Sequence, residues 1–139
     1  MNKIYRAIEI ANHAHTGQFD KAGMPYIFHP LRVASNFKDE DCQIVAILHD
    51  VIEDGGFEYK VDIKDMSECH IFEAVIFLTR GYDESYMDFI KQCKTNEISR
   101  KVKIADLKDN MDLSRLKEVT EEDLKRFNKY QKALKFLED

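Results

Sequence analysis

Residues 45–54 read "VAILHDVIED", an apolar run that ends in His49 and Asp50, with Glu53 and Asp54 following directly. Read as one helix across "CQIVAILHDVIEDG", the segment sets His49 four residues before Glu53 and Asp50 four before Asp54, so two polar pairs share one side of a helix end. Charges left unpaired in such a place cost roughly several kcal/mol per ion even after relaxation, so something must neutralise them. A divalent cation does so, and imidazole nitrogen mixed with carboxylate oxygen suits Mn, Fe, Zn and similar ions. A His-Asp dipeptide standing alone reads more readily as a histidine capped by its neighbour.

This one does not stand alone. In "PYIFHP" His29 ends a Gly/Pro loop, just before a proline that can open a helix at its first position. In "RKVKIADLKDNMDLSRL" Asp106 follows an apolar pair on a long helix. His29, His49, Asp50 and Asp106 together offer two imidazoles and two carboxylates, which leaves one or two positions of a five- or six-coordinate ion open for water or substrate. Open positions indicate catalysis rather than a structural site. A metal lowers the pKa of bound water from about 15.7 toward about 7, and a nearby carboxylate can orient that water and take its proton. Asp54, one turn beyond Asp50, is placed for that task, and Glu53 is placed to assist or to steady the water. Lys103 and Asn110, one turn before and after Asp106, put a cation and a donor on either side of it. Lys103 either binds a phosphate oxygen or pairs with Asp106.

The elements that must carry these residues read as helices. The 139 residues fit one domain, residues 1–139, and 44% hydrophobic content suffices for a single core. Four of the five glycines and both prolines bunch in "HTGQFDKAGMPYIFHP" and "DGGF", and between these breaks apolar residues recur at helical spacing. Ile4, Ala7, Ile8, Ala11 and Ala14 line one stripe; Leu124, Phe127, Ala133, Leu134 and Leu137 line another. Ser67, Ser85, Asn96 and Thr120 stand where helices should start. With no sustained alternation of period two, the chain is predicted to be all-α, a bundle of about seven or eight helices. The run "EEDLKRFNKYQK" reads as the wet face of the last helix, with Glu122 and Arg126 as an i,i+4 pair.

Composition narrows the partners. A net charge of −5 disfavours sequence-independent nucleic-acid binding, so an anionic substrate needs a local cluster of cations. Three scattered cysteines without CxxC spacing predict neither disulfides nor a zinc knuckle. No apolar run suits a signal peptide or a membrane helix, so a cytoplasmic protein without a membrane partner is expected; a homo-oligomer is left open.

The segments "HTGQFDKAGMPYIFHP", "LHDVIED" and "VKIAD", with Asn110 after the last, resemble the HD-domain superfamily of metal-dependent phosphohydrolases. Within it the chain is most similar to the hydrolase domain of RelA/SpoT-type enzymes and the small alarmone hydrolases, from about residue 5 to residue 115. The resemblance implies an HD-domain helical bundle and one divalent ion, Mn²⁺, held by His29, His49, Asp50 and Asp106, in a ligand set that also tolerates Fe, Zn, Co, Ni or Mg. It implies Glu53 and Asp54 as the catalytic pair, and removal of the 3′-pyrophosphate from guanosine tetra- or pentaphosphate. It places Asn110 and Lys21 near a small-molecule nucleotide, while His15 and Gln18 are expected to hold the first loop by hydrogen bonds. His13 and His70 fit no ligand spacing, and Tyr26 and Tyr86 serve either to pack or to stack on a base. Two departures concern the substrate groups. Asp20 stands where long RelA/SpoT domains carry arginine, and Asp112 where they are usually basic. Nothing in the sequence supports synthetase activity. Two alternatives remain beside the pyrophosphohydrolase: a 5′-nucleotide phosphohydrolase, and a non-catalytic module that binds metal and nucleotide.

Overall fold

Short polar side chains set most of the helix starts. In the computed structural model, which describes residues 2–139, Asn2, Asp39, Ser85, Asn96 and Thr120 each accept a backbone N–H from the first turn of the helix they precede. The helices are α1 (Lys3–Ala14), α2 (Phe28–Ala34), α3 (Glu40–Leu48), α4 (Val51–Gly55), α5 (Tyr59–Met66), α6 (Cys69–Phe77), α7 (Tyr86–Lys94), α8 (Glu97–Asn110) and α9 (Glu121–Glu138), with a 3-10 turn at Leu113–Arg115. No strand forms among the described residues. Phe19 and Pro25 make one isolated bridge in the loop before α2.

The sequence is right about Ser85, Asn96 and Thr120, the last forming a reciprocal capping box with Asp123. Ser67 is a correction: its hydroxyl donates back to the Ile63 carbonyl and it closes α5, while α6 begins after Glu68 without a side-chain cap. Pro30 is another. The helix opens at Phe28, so His29 and Pro30 both lie in its first turn, where a missing N–H costs nothing.

The predicted helix across "CQIVAILHDVIEDG" is broken. It stops at Leu48 and resumes at Val51, with Asp50 at φ −104° and ψ 0° between. The Ala46 carbonyl, which would accept the Asp50 N–H in a continuous helix, accepts the His49 Nδ1–H at 2.6 Å. Counted as one interrupted helix, α3 and α4 bring the number among the described residues to eight, within the seven or eight expected.

α3 is the centre of the fold. Ile44, Val45, Ala46, Ile47 and Leu48 are all buried, which places apolar surface on every side of the helix, and α1, α2, α6 and α8 pack around it. The α1 stripe behaves as predicted, with Ala7, Ala11 and Ala14 buried and Ile4 and Ile8 packed beside them. α4 ends against α1 so closely that a Cβ on Gly55 would lie 2.8 Å from Ala14 Cβ, and Gly56 turns the chain away at φ +119°. α9 is apolar at its far end, where Ala133 and Leu137 are buried, but Leu124 near its start is 50% exposed. The three cysteines are unpaired, and among the described residues no helix is long and apolar enough to cross a membrane.

Candidate metal centre and its two clefts

Three parts of the chain meet in one buried cluster: the first turn of α2, the break between α3 and α4, and the buried face of α8. His29, His49, Asp50 and Asp106 each present one donor atom, and these atoms lie within 4.8 Å of one another. On α8, Ser99, Lys103, Asp106 and Asn110 follow each other at steps of three or four, so one face of that helix carries all four.

Asp106 is the hub. Its Oδ1 lies 2.8 Å from His29 Nε2 and 3.2 Å from His49 Nε2, and its Oδ2 accepts the Lys103 ammonium at 2.8 Å. Asn110 Nδ2 donates to Oδ1 at 3.2 Å. Asp50 Oδ2 lies 3.0 Å from His49 Nε2 and 3.8 Å from His29 Nε2, and it accepts the Tyr26 hydroxyl at 2.6 Å. His29 and Asp106 are each 3% exposed and His49 2%, so these charges interact with little screening.

Burial opposes the charged form of each group, and the partners overrule it. Burial pulls His29 down, yet its bonds to Asp106 and Asp109 push the ring up to about 9. His49 moves the same way, through Asp50 and Asp106. Burial raises Asp106 and Asp50, but Lys103 and His49 hold Asp106, and His49 holds Asp50, well below the usual carboxylate range. The carboxylates thus favour positive charge in the space between the four donors. A divalent cation brings such charge to that place, and the donor set of two nitrogens and two oxygens fits one.

Two clefts open beside the cluster. The inner one, about 240 Å³, holds Asp50, Glu53, Asp54, Lys103 and Asp106 together with Arg80, Tyr86 and Lys129. Burial, then the charges of Asp50 and Glu53, push Asp54 up to about 6. Glu53 is also raised, chiefly by burial, and its carboxylate accepts the Arg80 backbone N–H. The outer cleft, about 310 Å³, holds Lys21, Arg32, Asp109, Arg115 and Arg126. Tyr26, Asn110 and Tyr130 line both.

The structure thus brings the four donor residues together, with Glu53, Asp54, Lys103 and Asn110 facing the adjoining cleft, and it sets Lys21 apart on the outer side. Of the two readings of Lys103, the pairing with Asp106 is the one formed. His15 and Gln18 hold the loop as expected: His15 Nδ1 meets Gln18 Oε1 at 2.9 Å, and Gln18 Nε2 donates to the Asp54 carbonyl at 3.0 Å. His13 bonds Tyr59 and His70 bonds Asp41, both away from the cluster. Tyr86 packs edge-on against Phe89, and the Lys129 ammonium lies 4.2 Å from its ring. Asp20 caps its own loop, accepting the Ala22 and Met24 N–H groups at 3.0 and 2.9 Å, and Asp112 does likewise for Ser114.

Sequence reasoning missed Asp109, Arg32, Arg80, Arg126, Lys129 and Tyr130. The pairing read as Glu122 with Arg126 is replaced by Asp123 with Arg126, and the start of α9 lines the clefts instead of forming a plain wet face. For Asp109 a signal existed: it lies three residues beyond Asp106, on the same side of α8.

No family model matches the chain. Over 84 residues it is 39% identical to the guanosine-3′,5′-bis(diphosphate) 3′-pyrophosphohydrolase of Borreliella burgdorferi, a stretch covering 58% of this chain and 12% of that one. Over 49 residues it is 51% identical to the protein of the same name from Haemophilus influenzae, covering 32% of this chain and 7% of that one. The chain therefore spans about a tenth of the length of the curated relatives it matches. A solved structure described as a metazoan ortholog of SpoT that hydrolyzes ppGpp superposes with a TM-score of 0.78 at 21% identity, over 99% of this chain and 85% of that one. This likeness shows the all-α fold, and the sequence matches bear out the resemblance read from the motifs.

Proposed function

We propose that this chain, similar in sequence to the RelA/SpoT-type hydrolases and in fold to a SpoT ortholog, is a Mn²⁺-dependent phosphohydrolase. Its reaction is removal of the 3′-pyrophosphate from guanosine tetra- or pentaphosphate or a closely similar nucleotide. The observation that carries this reading is the convergence of four donor atoms within 4.8 Å beside a cleft that also holds a raised carboxylate and several cations.

In this reading His29, His49, Asp50 and Asp106 hold one divalent ion. Bound there, the ion supplies Lewis acidity and a water acidic enough to ionise near neutral pH. Asp54 would serve as the base toward a water activated there, and its pKa of about 6 keeps it ionised, yet basic enough to be useful, at pH 7. Glu53 ties α4 to the segment after α6 through the Arg80 N–H, which fixes the wall of the inner cleft. Lys103, Arg80 and Lys129 face that cleft with positive charge suited to phosphoryl oxygens, and Asn110 adds a neutral donor. The nucleoside end then lies toward Lys21 in the outer cleft. Three unpaired cysteines agree with a reducing, cytoplasmic setting.

Asp20 favours a second reading. Its carboxylate is committed to the loop and lines the outer cleft, where a guanidinium would stack on a purine, so a different nucleotide is the alternative substrate. Purified protein with Mn²⁺ should be given guanosine 3′,5′-bis(diphosphate) beside a panel of 5′-monophosphates. Pyrophosphate as product supports the first reading and orthophosphate the second. Binding without turnover would point to the non-catalytic module.

A further inference from the structure

His29 and His49 aim Nε2 at the same Asp106 oxygen, but their other ring nitrogens have unlike partners. His49 Nδ1 donates to the neutral Ala46 carbonyl at 2.6 Å. His29 Nδ1 donates to a carboxylate, Asp109 Oδ2, also at 2.6 Å. Asp109 is itself held by a guanidinium: Arg32 Nε lies 2.9 Å from Oδ1 and Nη2 lies 3.1 Å from Oδ2. Arg115 approaches the same Oδ1 at 3.5 Å.

The four groups form a frame between two helices. His29 and Arg32 are three residues apart on α2, and Asp106 and Asp109 three apart on α8, so each helix gives one inner and one outer member. His29 contacts both carboxylates, and Arg32 contacts the outer one. A ring whose Nδ1–H is bound to a carboxylate keeps one tautomer and one orientation, with the Nε2 lone pair directed away, and the carboxylate makes that nitrogen a stronger donor. A two-bond guanidinium clamp in turn leaves the carboxylate little freedom to swing.

We infer that Asp109, clamped by Arg32, is a positioning residue that fixes the His29 ring and strengthens Nε2 as a metal donor. This rests on the reading of His29 as a metal ligand. A purely structural bridge between α2 and α8 would hold the helices together without affecting the ring nitrogens, and the two roles separate on that point.

The test uses the full chain, with Asp109→Asn and Arg32→Met compared with the parent. Mn²⁺ affinity is measured by competition with a chelating dye, and nitrogen-15 spectra of the histidine rings are recorded with Zn²⁺ bound, since Mn²⁺ would broaden them. Asp109→Asn should weaken Mn²⁺ binding about 10- to 100-fold. Arg32→Met should weaken it less, and in both variants the His29 ring signals should move while those of His49 stay. If Asp109→Asn does not fold, Arg32→Met and the parent spectrum decide: a His29 Nδ1 without a bonded proton in the Zn²⁺-loaded parent overturns the inference. Equal Mn²⁺ affinity in the parent and Asp109→Asn, with unmoved His29 signals, overturns it alone. A parent that binds no divalent cation overturns the metal reading as well.

Discussion

The inner and outer clefts share Tyr26, Asn110 and Tyr130, yet they treat charge in opposite ways. In the outer cleft each arginine is matched by a carboxylate: Arg32 by Asp109, Arg115 by Asp112, Arg126 by Asp123. In the inner cleft Arg80 and Lys129 make no ion pair with a carboxylate among the described residues, and burial followed by repulsion from Arg80 and Lys103 pulls Lys129 down. The outer guanidiniums are thus spent on holding the structure, while inside, beside a Lys103 that is paired with Asp106, Arg80 and Lys129 are kept for an anion. Under the proposed reading, phosphate affinity and nucleotide choice are separable, one set by the inner wall and the other by the outer rim.

The comparison breaks most visibly at Asp106. Asp106→Ala leaves His29, His49 and Lys103 buried around a missing counter-charge; Mn²⁺ binding should be abolished and unfolding free energy should fall by about 3–5 kcal/mol in denaturant titration. Next comes Asp54→Asn, which should lower kcat about 10²- to 10⁴-fold while Mn²⁺ affinity stays within about threefold of the parent. Asp54 works as a base only when ionised, so the parent's kcat/KM should fall as pH drops through about 6, and this limb should be missing from the variant. The sign for stability is the reverse. Burial and neighbouring acids disfavour the Asp54 carboxylate in the fold, so above pH 6 the metal-free Asp54→Asn protein should melt higher than the parent.

A third pair of variants sharpens the contrast between the walls. Lys129→Ala should raise KM about 10-fold or more, since a charge-assisted bond contributes about 1.5–3 kcal/mol. Arg126→Ala, whose guanidinium is already paired with Asp123, should change KM by about threefold or less. Asp20→Asn should have the smallest effect. The amide oxygen can still accept the Ala22 and Met24 N–H groups, so only the loss of a repelling charge remains, a drop in KM of about twofold.

How much of this was legible follows from what each feature depends on. His29, His49, Asp50 and Asp106 are readable because metal chemistry restricts residue types, and the all-α fold because α1 carries a clear apolar stripe and α7, α8 and α9 clear start signals. The break at His49 is not readable from apolar spacing, since it depends on a side chain taking the Ala46 carbonyl from the helix ladder. Ser67 has the same ambiguity: its hydroxyl can cap the next helix or bond back to the one before, and it does the latter. Arg80, Arg126 and Lys129 were invisible for another reason. A cation at helical spacing, such as Arg126 or Lys129, looks the same facing water or a cleft until α9 packs on α7 and α8, and Arg80 lies in the irregular segment between α6 and α7, which has no periodicity to read. Asp20 was legible as a departure from the family pattern, but its bonds to Ala22 and Met24 were not.

The most direct measurement is a single-turnover reaction of the Mn²⁺-loaded protein with guanosine 3′,5′-bis(diphosphate), run beside Asp54→Asn with metal content assayed in both. The expected result is pyrophosphate and guanosine 5′-diphosphate from the parent, with the variant retaining its metal and losing the reaction. A parent that holds one Mn²⁺ per chain and releases no pyrophosphate would contradict it.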